Sequence, residues 1–383
     1  MVWGRKFRWL WVVLLLGSPA FLRAQLTTED HILGADFWPT KELQSEKDLV
    51  GSDVCASCHR DKAASQPHTP MGETSVHAAD APSLRSHPEL KFQGGPTQYE
   101  IRNDGKHATF TVTLNGQTKS AELLWAFGNG HLGQSYLFKK DDGYLYEARA
   151  SFFEVLQALA WTPSRELTRP ENIDDAMGRR IPETEVKKCF GCHTTGSNVG
   201  GRVVESNVRF GITCEACHGP GGSHASEAAV ALAAGTPDAA RGGILNPGRL
   251  TPNDSVDFCG ACHISYWDME LTRARGIAST KSQPFRLGQS KCWQKGDARL
   301  TCTACHDPHQ PLVKEAKAYD HNCLQCHALT GQKAAPEQTA KPCPKATSEC
   351  SSCHMPKIDL PDMHHAFTDH RIRVARAGEP FPE

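Results

Sequence analysis

The sequence predicts a mostly α and irregular fold of short helices and loops, interrupted by a small antiparallel β insert. Three observations predict it. A C-x-x-C-H motif recurs seven times, and six of the copies crowd between Cys189 and His354. So dense a run leaves little room for an ordinary apolar core. One stretch, residues 91–149, instead carries strand-like alternation punctuated by hairpin turns.

The chemistry follows from the motif. C-x-x-C-H attaches c-type haem: two thiols take the two vinyl groups of one porphyrin, and the adjacent histidine ligates the iron. The copies are Cys55/Cys58/His59, Cys189/Cys192/His193, Cys214/Cys217/His218, Cys259/Cys262/His263, Cys302/Cys305/His306, Cys323/Cys326/His327 and Cys350/Cys353/His354. With 16 Cys and 19 His in 383 residues, chance placement gives about 0.03 matches. Disulfide frameworks and zinc sites also use paired cysteines, but neither requires a histidine after the second cysteine every time. Seven covalently attached haem c groups are expected, with porphyrins taking over the role of the core between residues 185 and 372.

The N-terminus reads as a Sec-type export signal over residues 1–24. Arg5, Lys6 and Arg8 precede the apolar run Leu10 to Leu16, and cleavage is expected after Ala24. The apolar run is too short to span a bilayer. A periplasmic or extracellular location agrees with covalent haem attachment, which belongs to an oxidising space. Loss of the signal's four basic residues takes the formal charge from −1 to about −5, and seven ferric haems with their propionates take it to roughly −12. That balance excludes nucleic acid as a partner. It favours a basic protein patch, and the haems make the expected partners redox proteins, a quinol-side donor or other cytochromes, with membrane association open.

In chain order, residues 25–50 read as a polar linker in which His31 is solvated. Residues 51–90 form a first haem segment, its motif running into a short helix. Residues 91–165 make the β insert, a sheet of four to six strands built on Tyr99-Glu-Ile-Arg, Ala108-Thr-Phe-Thr-Val-Thr-Leu, Ala121-Glu-Leu-Leu-Trp, Tyr136-Leu-Phe and Tyr144-Leu-Tyr. Asn103-Asp-Gly, Asn115-Gly and Asp141-Asp-Gly supply its turns. Residues 152–161 read as a short buried helix ended by Pro163. A connector (166–184) leads to a helix opened by Pro182 and acidic residues, which delivers the second motif. The six-haem region (185–372) includes an Ala-rich helix over 226–234 stopped by Gly235, and residues 373–383 are a tail.

Seven proximal histidines leave 12 for the opposite faces of the irons, so bis-histidine coordination is expected at most haems. The distal candidates are His68, His87, His131, His224, His309, His364 and His370. Met71 and His77 compete with His68 and His87 at the first haem, and His365 competes with His364. His309 lies too close to His306 to reach the far face of its own haem, so it should cap a neighbour. His321 is balanced between ligand and surface, and His107 belongs on the surface beside a turn. Cys292 and Cys343 remain, and a disulfide between them is the first expectation, with a sulfur ligand to iron as the alternative.

Ile-Thr-Cys214-Glu-Ala-Cys-His-Gly-Pro-Gly-Gly-Ser-His224, Cys302-Thr-Ala-Cys-His-Asp-Pro-His309 and Cys350-Ser-Ser-Cys-His-Met-Pro-Lys357, with Phe-Thr-Asp-His370, resemble multihaem c-type cytochromes. The set is similar to the tetrahaem cytochrome of the hydroxylamine-oxidation pathway and its larger nitrite-reductase relatives, over roughly 185–372. The resemblance implies a multihaem cytochrome fold, haems in stacked and perpendicular pairs, and His224, His309 and His370 as distal ligands to neighbouring haems. The pentahaem nitrite reductases carry a catalytic C-x-x-C-K, whereas every motif here ends in histidine. The expected function is electron transfer between membrane-side and exported partners, as a carrier rather than a catalyst. The alternative is an oxidoreductase acting on nitrite, hydroxylamine or a similar small nitrogen or sulfur substrate at one open haem.

Overall fold

The structure, a computed structural model, describes residues 47–165, 168–236, 242–294, 296–297 and 299–382. The expected export signal, most of the linker and His31 lie outside the described residues.

Ten strands cover the first half of the chain: β1 Ser75–His77, β2 Glu89–Gly94, β3 Thr97–Asn103, β4 Ala108–Leu114, β5 Gln117–Phe127, β6 Ser135–Lys139, β7 Leu145–Ala148, β8 Ala150–Phe153, β9 Ala158–Trp161 and β10 Gly178–Arg180. Seven of them lie in the antiparallel order β10-β7-β6-β5-β4-β3-β2. The eleven-residue β5 outruns β4, and β1 pairs with its free second half, Ser75 opposite Phe127. In β3 and β4 every second residue is buried, the period that the sequence shows. Asn115 and Gly116 take φ of 51° and 79° between β4 and β5, the left-handed pair that a tight hairpin demands.

The expectation of a mostly α fold with a small β insert is therefore wrong. The sheet has eight strands, and four two-stranded sheets stand beside it, including the β8–β9 hairpin. Two causes are visible. Short flanking segments with no alternation, Ser75–His77 and Gly178–Arg180, join the sheet because its edge and its longest strand offer unpaired backbone. Residues 152–161, expected as a helix, form β8 and β9 instead: Ala150 to Phe153 are all buried, so no period-2 signal survives. The turn between them places Gln157 at φ 49°.

One face of the sheet carries the main core, in which Ile101, Phe110, Val112, Tyr136 and Phe138 pack with Leu84 and Met177. A second cluster joins Trp125, Phe127, Leu137 and Leu145 to Ile181 and Phe190. Phe190 belongs to the helix Glu183–His193 that delivers the second motif, and its ring meets Trp125 and Phe127 edge-on at 5.3 and 5.2 Å. The sheet is thus the seat of that attachment site. Beyond residue 219 the larger buried apolar side chains are few: Val256, Phe258, Met269, Phe285, Leu287 and Leu360. The helices there are short, the longest being Gly222–Ala233 and Pro252–His263. Among the described residues no helix is long and apolar enough to cross a membrane.

Candidate functional site

Each attachment motif folds as about one helical turn. The His59, His306 and His327 amides donate to the carbonyls of Cys55, Cys302 and Cys323 at 2.8, 3.0 and 3.0 Å. A turn of this kind puts residues i and i+3 on one side, so two thiols face the same porphyrin edge with the histidine beside them. The second motif closes Glu183–His193 and the fourth closes Pro252–His263. The third and seventh are themselves the helices Cys214–His218 and Cys350–His354.

The motifs touch one another through their cysteines. The Cys55 thiol meets Cys214, Cys259 meets Cys302, and Cys323 meets Cys350. Burial first, and then the Cys214 thiol, push Cys55 up to about 11. Cys217 lies near Cys259 and Cys305 near Cys323, while the Cys192 sulfur reaches the Ala261 carbonyl at 3.5 Å. Two buried carboxylates tie the pairs. Glu215, inside the third motif, accepts from the Val50, Gly51 and Gly221 amides, each at 2.9 Å. Asp320 accepts from Glu349 and Cys350 at 2.7 and 2.8 Å, fastening the seventh motif to the helix of the sixth. Neither acid was flagged by the sequence, because the first of these contacts spans 165 residues.

The two cysteines of a motif are covered unequally in three of the seven motifs. In the first, fifth and seventh motifs the leading cysteine is half-buried against another motif, whereas the second, Cys58, Cys305 or Cys353, is exposed. Cys58 and Cys353 have local polar neighbours, the Ser57 and Ser352 hydroxyls that donate to their sulfurs at 3.7 and 3.8 Å. In the second, third, fourth and sixth motifs both cysteines are half-buried; in the fourth, Cys262 lies beside Cys259 in the helix Pro252–His263, which packs between the second and fifth motifs.

Imidazoles face each other in three places. His59 and His224 have ring centroids 6.4 Å apart with planes at 18°, His218 and His309 are 6.1 Å apart at 15°, and His306 and His370 are 6.3 Å apart at 39°. Two imidazoles bound through Nε2 to one metal at about 2 Å each have centroids roughly 6 Å apart, since Nε2 lies about 1.1 Å from its centroid. The gaps are those that one iron fills. In each pair at least one Nδ1 is held by an oxygen: His224 by Gly242 O at 3.0 Å, His218 by Leu245 O at 2.9 Å, His309 by Asp307 Oδ1 at 3.1 Å and His370 by Thr368 O at 3.0 Å. With Nδ1 spent as donor, Nε2 keeps its lone pair for a metal. Burial also pushes His218 and His306 down and holds His370 at about 4, so these rings are neutral, as ligands must be. These side chains fit haem iron.

Three of the four other proximal histidines, His193, His327 and His354, are oriented in the same way. His193 Nδ1 meets Thr74 Oγ1 at 2.7 Å, and its ring stacks on Phe127 at 5.1 Å. His327 and His354 meet the Lys341 and Arg373 carbonyls, each at 2.8 Å. The remaining distal candidates sit elsewhere. His68 is exposed at the end of the turn Gln66–His68, and His87 packs on Phe152 at 5.4 Å. His131 is exposed and paired with Glu154, and His364 stands edge-on to Phe153 at 4.7 Å. Of their rivals, His77 packs on Phe210 at 4.5 Å, His365 lies near His131, and exposed His321 holds Ala318 O at 2.9 Å. Exposed His107 pairs with Glu122 at 2.7 Å.

The expected Cys292–Cys343 disulfide is not formed, and both thiols are free. Cys292 sits in the short helix Lys291–Gln294 among Cys305, Cys323 and Cys326. Cys343 lies in a separate loop, where its sulfur accepts from the Lys345 amide at 3.4 Å.

Motifs that each present two thiols and an adjacent imidazole, packed so that their cysteines touch, define a c-type haem protein of many centres. The profile of the family described as cytochrome c554 and c-prime matches residues 151–219, which hold the β9 strand and the second and third motifs. Match and motifs together support covalently bound haem of the c type at many centres, a chemistry suited to electron transfer. The chain is also similar to the crystal structure of outer cell wall cytochrome OcwA, at 14% identity and a TM-score of 0.49, over 85% of this chain and 80% of that one. No curated protein matches.

Proposed function

We propose that this protein is an exported seven-haem electron conduit in which most irons carry two histidines. The observation that carries the reading is the set of three imidazole pairs separated by 6.1 to 6.4 Å, each joining the histidine of one motif to a histidine from another part of the chain. His224, His309 and His370 are then the distal ligands of the first, third and fifth haems. Haem supplies one-electron chemistry, and two strong-field imidazoles keep the iron six-coordinate in both oxidation states.

The cysteine contacts support an order along the conduit. The first motif leads to the third, the third to the fourth, the fourth to the fifth, the fifth to the sixth and the sixth to the seventh. The second joins at the fourth through Cys192 and is the one seated on the sheet. Neighbouring attachment turns in contact hold their porphyrin edges close, which an electron relay requires. The export-signal pattern of residues 1–24 and covalent haem attachment support an exported location and redox-protein partners.

The test is intact mass together with electron paramagnetic resonance of the oxidised protein and assays with nitrite and hydroxylamine. Seven haems per mature chain, low-spin signals and no turnover are expected. A stoichiometric high-spin signal that shifts with either substrate, with turnover above that of free haem, would make the protein an oxidoreductase with one open haem instead.

A further inference from the structure

Six residues, Thr368 to Arg373, touch two haem-ligand positions at once. His370 faces His306 at 6.3 Å, in the gap assigned to the fifth haem. Three residues later the Arg373 carbonyl accepts from His354 Nδ1 at 2.8 Å, and the Arg373 amide donates to the His354 carbonyl at 3.1 Å. His354 is the proximal histidine of the seventh motif. One short segment therefore sets the distal side of one iron and the ring orientation of another.

What holds the segment is a buried arginine fork. Arg286, in the helix Gln283–Gly288, is 0% exposed, and so is Asp369, the neighbour of His370. Arg286 Nε and Nη2 donate to the two Asp369 oxygens at 2.8 and 2.9 Å. Its Nη1 donates to Gln289 Oε1 and to the Pro382 carbonyl, each at 2.9 Å, and the Phe381 ring lies 4.5 Å from the guanidinium carbon. The last residues of the chain thus roof the fork. Arg373 Nη1 adds a further bond to Asp369 at 2.8 Å and its Nε donates to Glu379 Oε1 at 3.2 Å, while the Arg371 amide donates to Asp369 Oδ1 at 3.0 Å. Ser290 closes the frame: its hydroxyl donates to the His370 carbonyl at 3.2 Å and accepts from the Ile372 amide at 2.8 Å.

A buried ion pair adds little net stability compared with well-packed apolar residues, because desolvation offsets the attraction. What a bidentate fork does supply is direction, and a lysine cannot reproduce it. We propose that Arg286 is a positioning residue: by clamping Asp369 it sets, together, the distal imidazole of the fifth haem and the orientation of the proximal imidazole of the seventh. The proposal rests on reading His370 as the ligand opposite His306.

The test uses the holoprotein with Arg286→Lys, Asp369→Asn, Glu379→Gln and His370→Ala, read by intact mass, paramagnetic resonance and potentiometric titration. Arg286→Lys and Asp369→Asn should keep the full haem count, yet show a new high-spin ferric signal of one haem per chain and a shifted midpoint for one further haem. Glu379→Gln, which removes only an outer partner of Arg373, should match the parent in both readouts. Wild-type spectra and titration curves in both Arg286→Lys and Asp369→Asn would overturn the clamp. If Arg286→Lys does not accumulate, Asp369→Asn decides alone, since it keeps the side-chain shape. A parent-like spectrum for His370→Ala would remove the ligand reading, and the clamp with it. A high-spin signal in His370→Ala that is absent from the other two variants would remove the clamp alone.

Discussion

A histidine becomes a ligand here through what its other nitrogen does. His224, His218, His309 and His370 each spend Nδ1 on a fixed oxygen, and a ring held by one hydrogen bond presents Nε2 in one direction. His131 spends Nδ1 on Glu154 as well, but it does so on an exposed loop. On this footing His224→Ala, His309→Ala and His370→Ala should each turn one low-spin haem high-spin without changing the haem count, because attachment depends on the cysteines. Paramagnetic resonance beside intact mass checks all three, and an unchanged spectrum would exclude that histidine. Nothing in the phrase Gln-Pro-Phe-Arg286-Leu-Gly marks its arginine. Asp369 lies 83 residues away, and only the fold brings the two together.

At the scale of elements, the helix Glu183–His193 is held to the sheet by an apolar contact and an ionic one. Phe190 is fully buried between Trp125 and Phe127. Phe190→Ala should cost about 3 to 5 kcal/mol, measured by chemical denaturation followed by far-ultraviolet circular dichroism. The ionic contact is Arg179 of β10, which donates from Nε to Glu147 of β7 at 2.7 Å and from Nη1 to Glu185 of the helix at 2.6 Å. The Arg179 hydrogen bond holds the Glu185 carboxyl below its ordinary value, against the opposing pull of burial. A carboxyl depressed in the folded state contributes stability that is complete above its unfolded pKa and lost as pH falls through the folded one. The melting temperature should therefore fall on acidification below about pH 4.5, and Arg179→Met should flatten that part of the profile. Equal acid slopes in the two proteins would refute the linkage. The same residues show how sequence reading fails. Alternation revealed β3 and β4, whereas β8 is buried on both sides and so shows no period.

For the whole molecule, the contacts run as a string that branches at the fourth motif and passes on through the fifth. Cys302 touches Cys259 on one side, and Cys305 lies near Cys323 on the other. Changing Cys302 and Cys305 together to Ala should remove one haem by mass and split rapid reduction by a chemical donor into two phases, the sixth and seventh haems lagging the rest. A single phase at the parent rate would show that the sixth and seventh haems are reached by another route. The sheet's place in this string is its seat under the second motif, beside the fourth.

The haem chemistry was determined by the sequence alone. C-x-x-C-H is a local unit whose thiols and imidazole fall into place within about one helical turn, so neighbours along the chain suffice to define it. The hairpin Asn115-Gly116 and the strands beside it were legible for the same reason, since a turn and a period of two are local properties. The histidines 224, 309 and 370 could be nominated, but which imidazole each one faces is a contact between distant parts of the chain. So are the Glu215, Asp320 and Arg286 anchors, the unequal cover over the two cysteines of the first, fifth and seventh motifs, and the free state of Cys292 and Cys343. The size of the sheet was misjudged because β1 and β10 are strands only by virtue of the partners they find. Tertiary structure decided all of these, since a hydrogen bond or an axial ligand is fixed by distance in space, which a linear pattern does not carry.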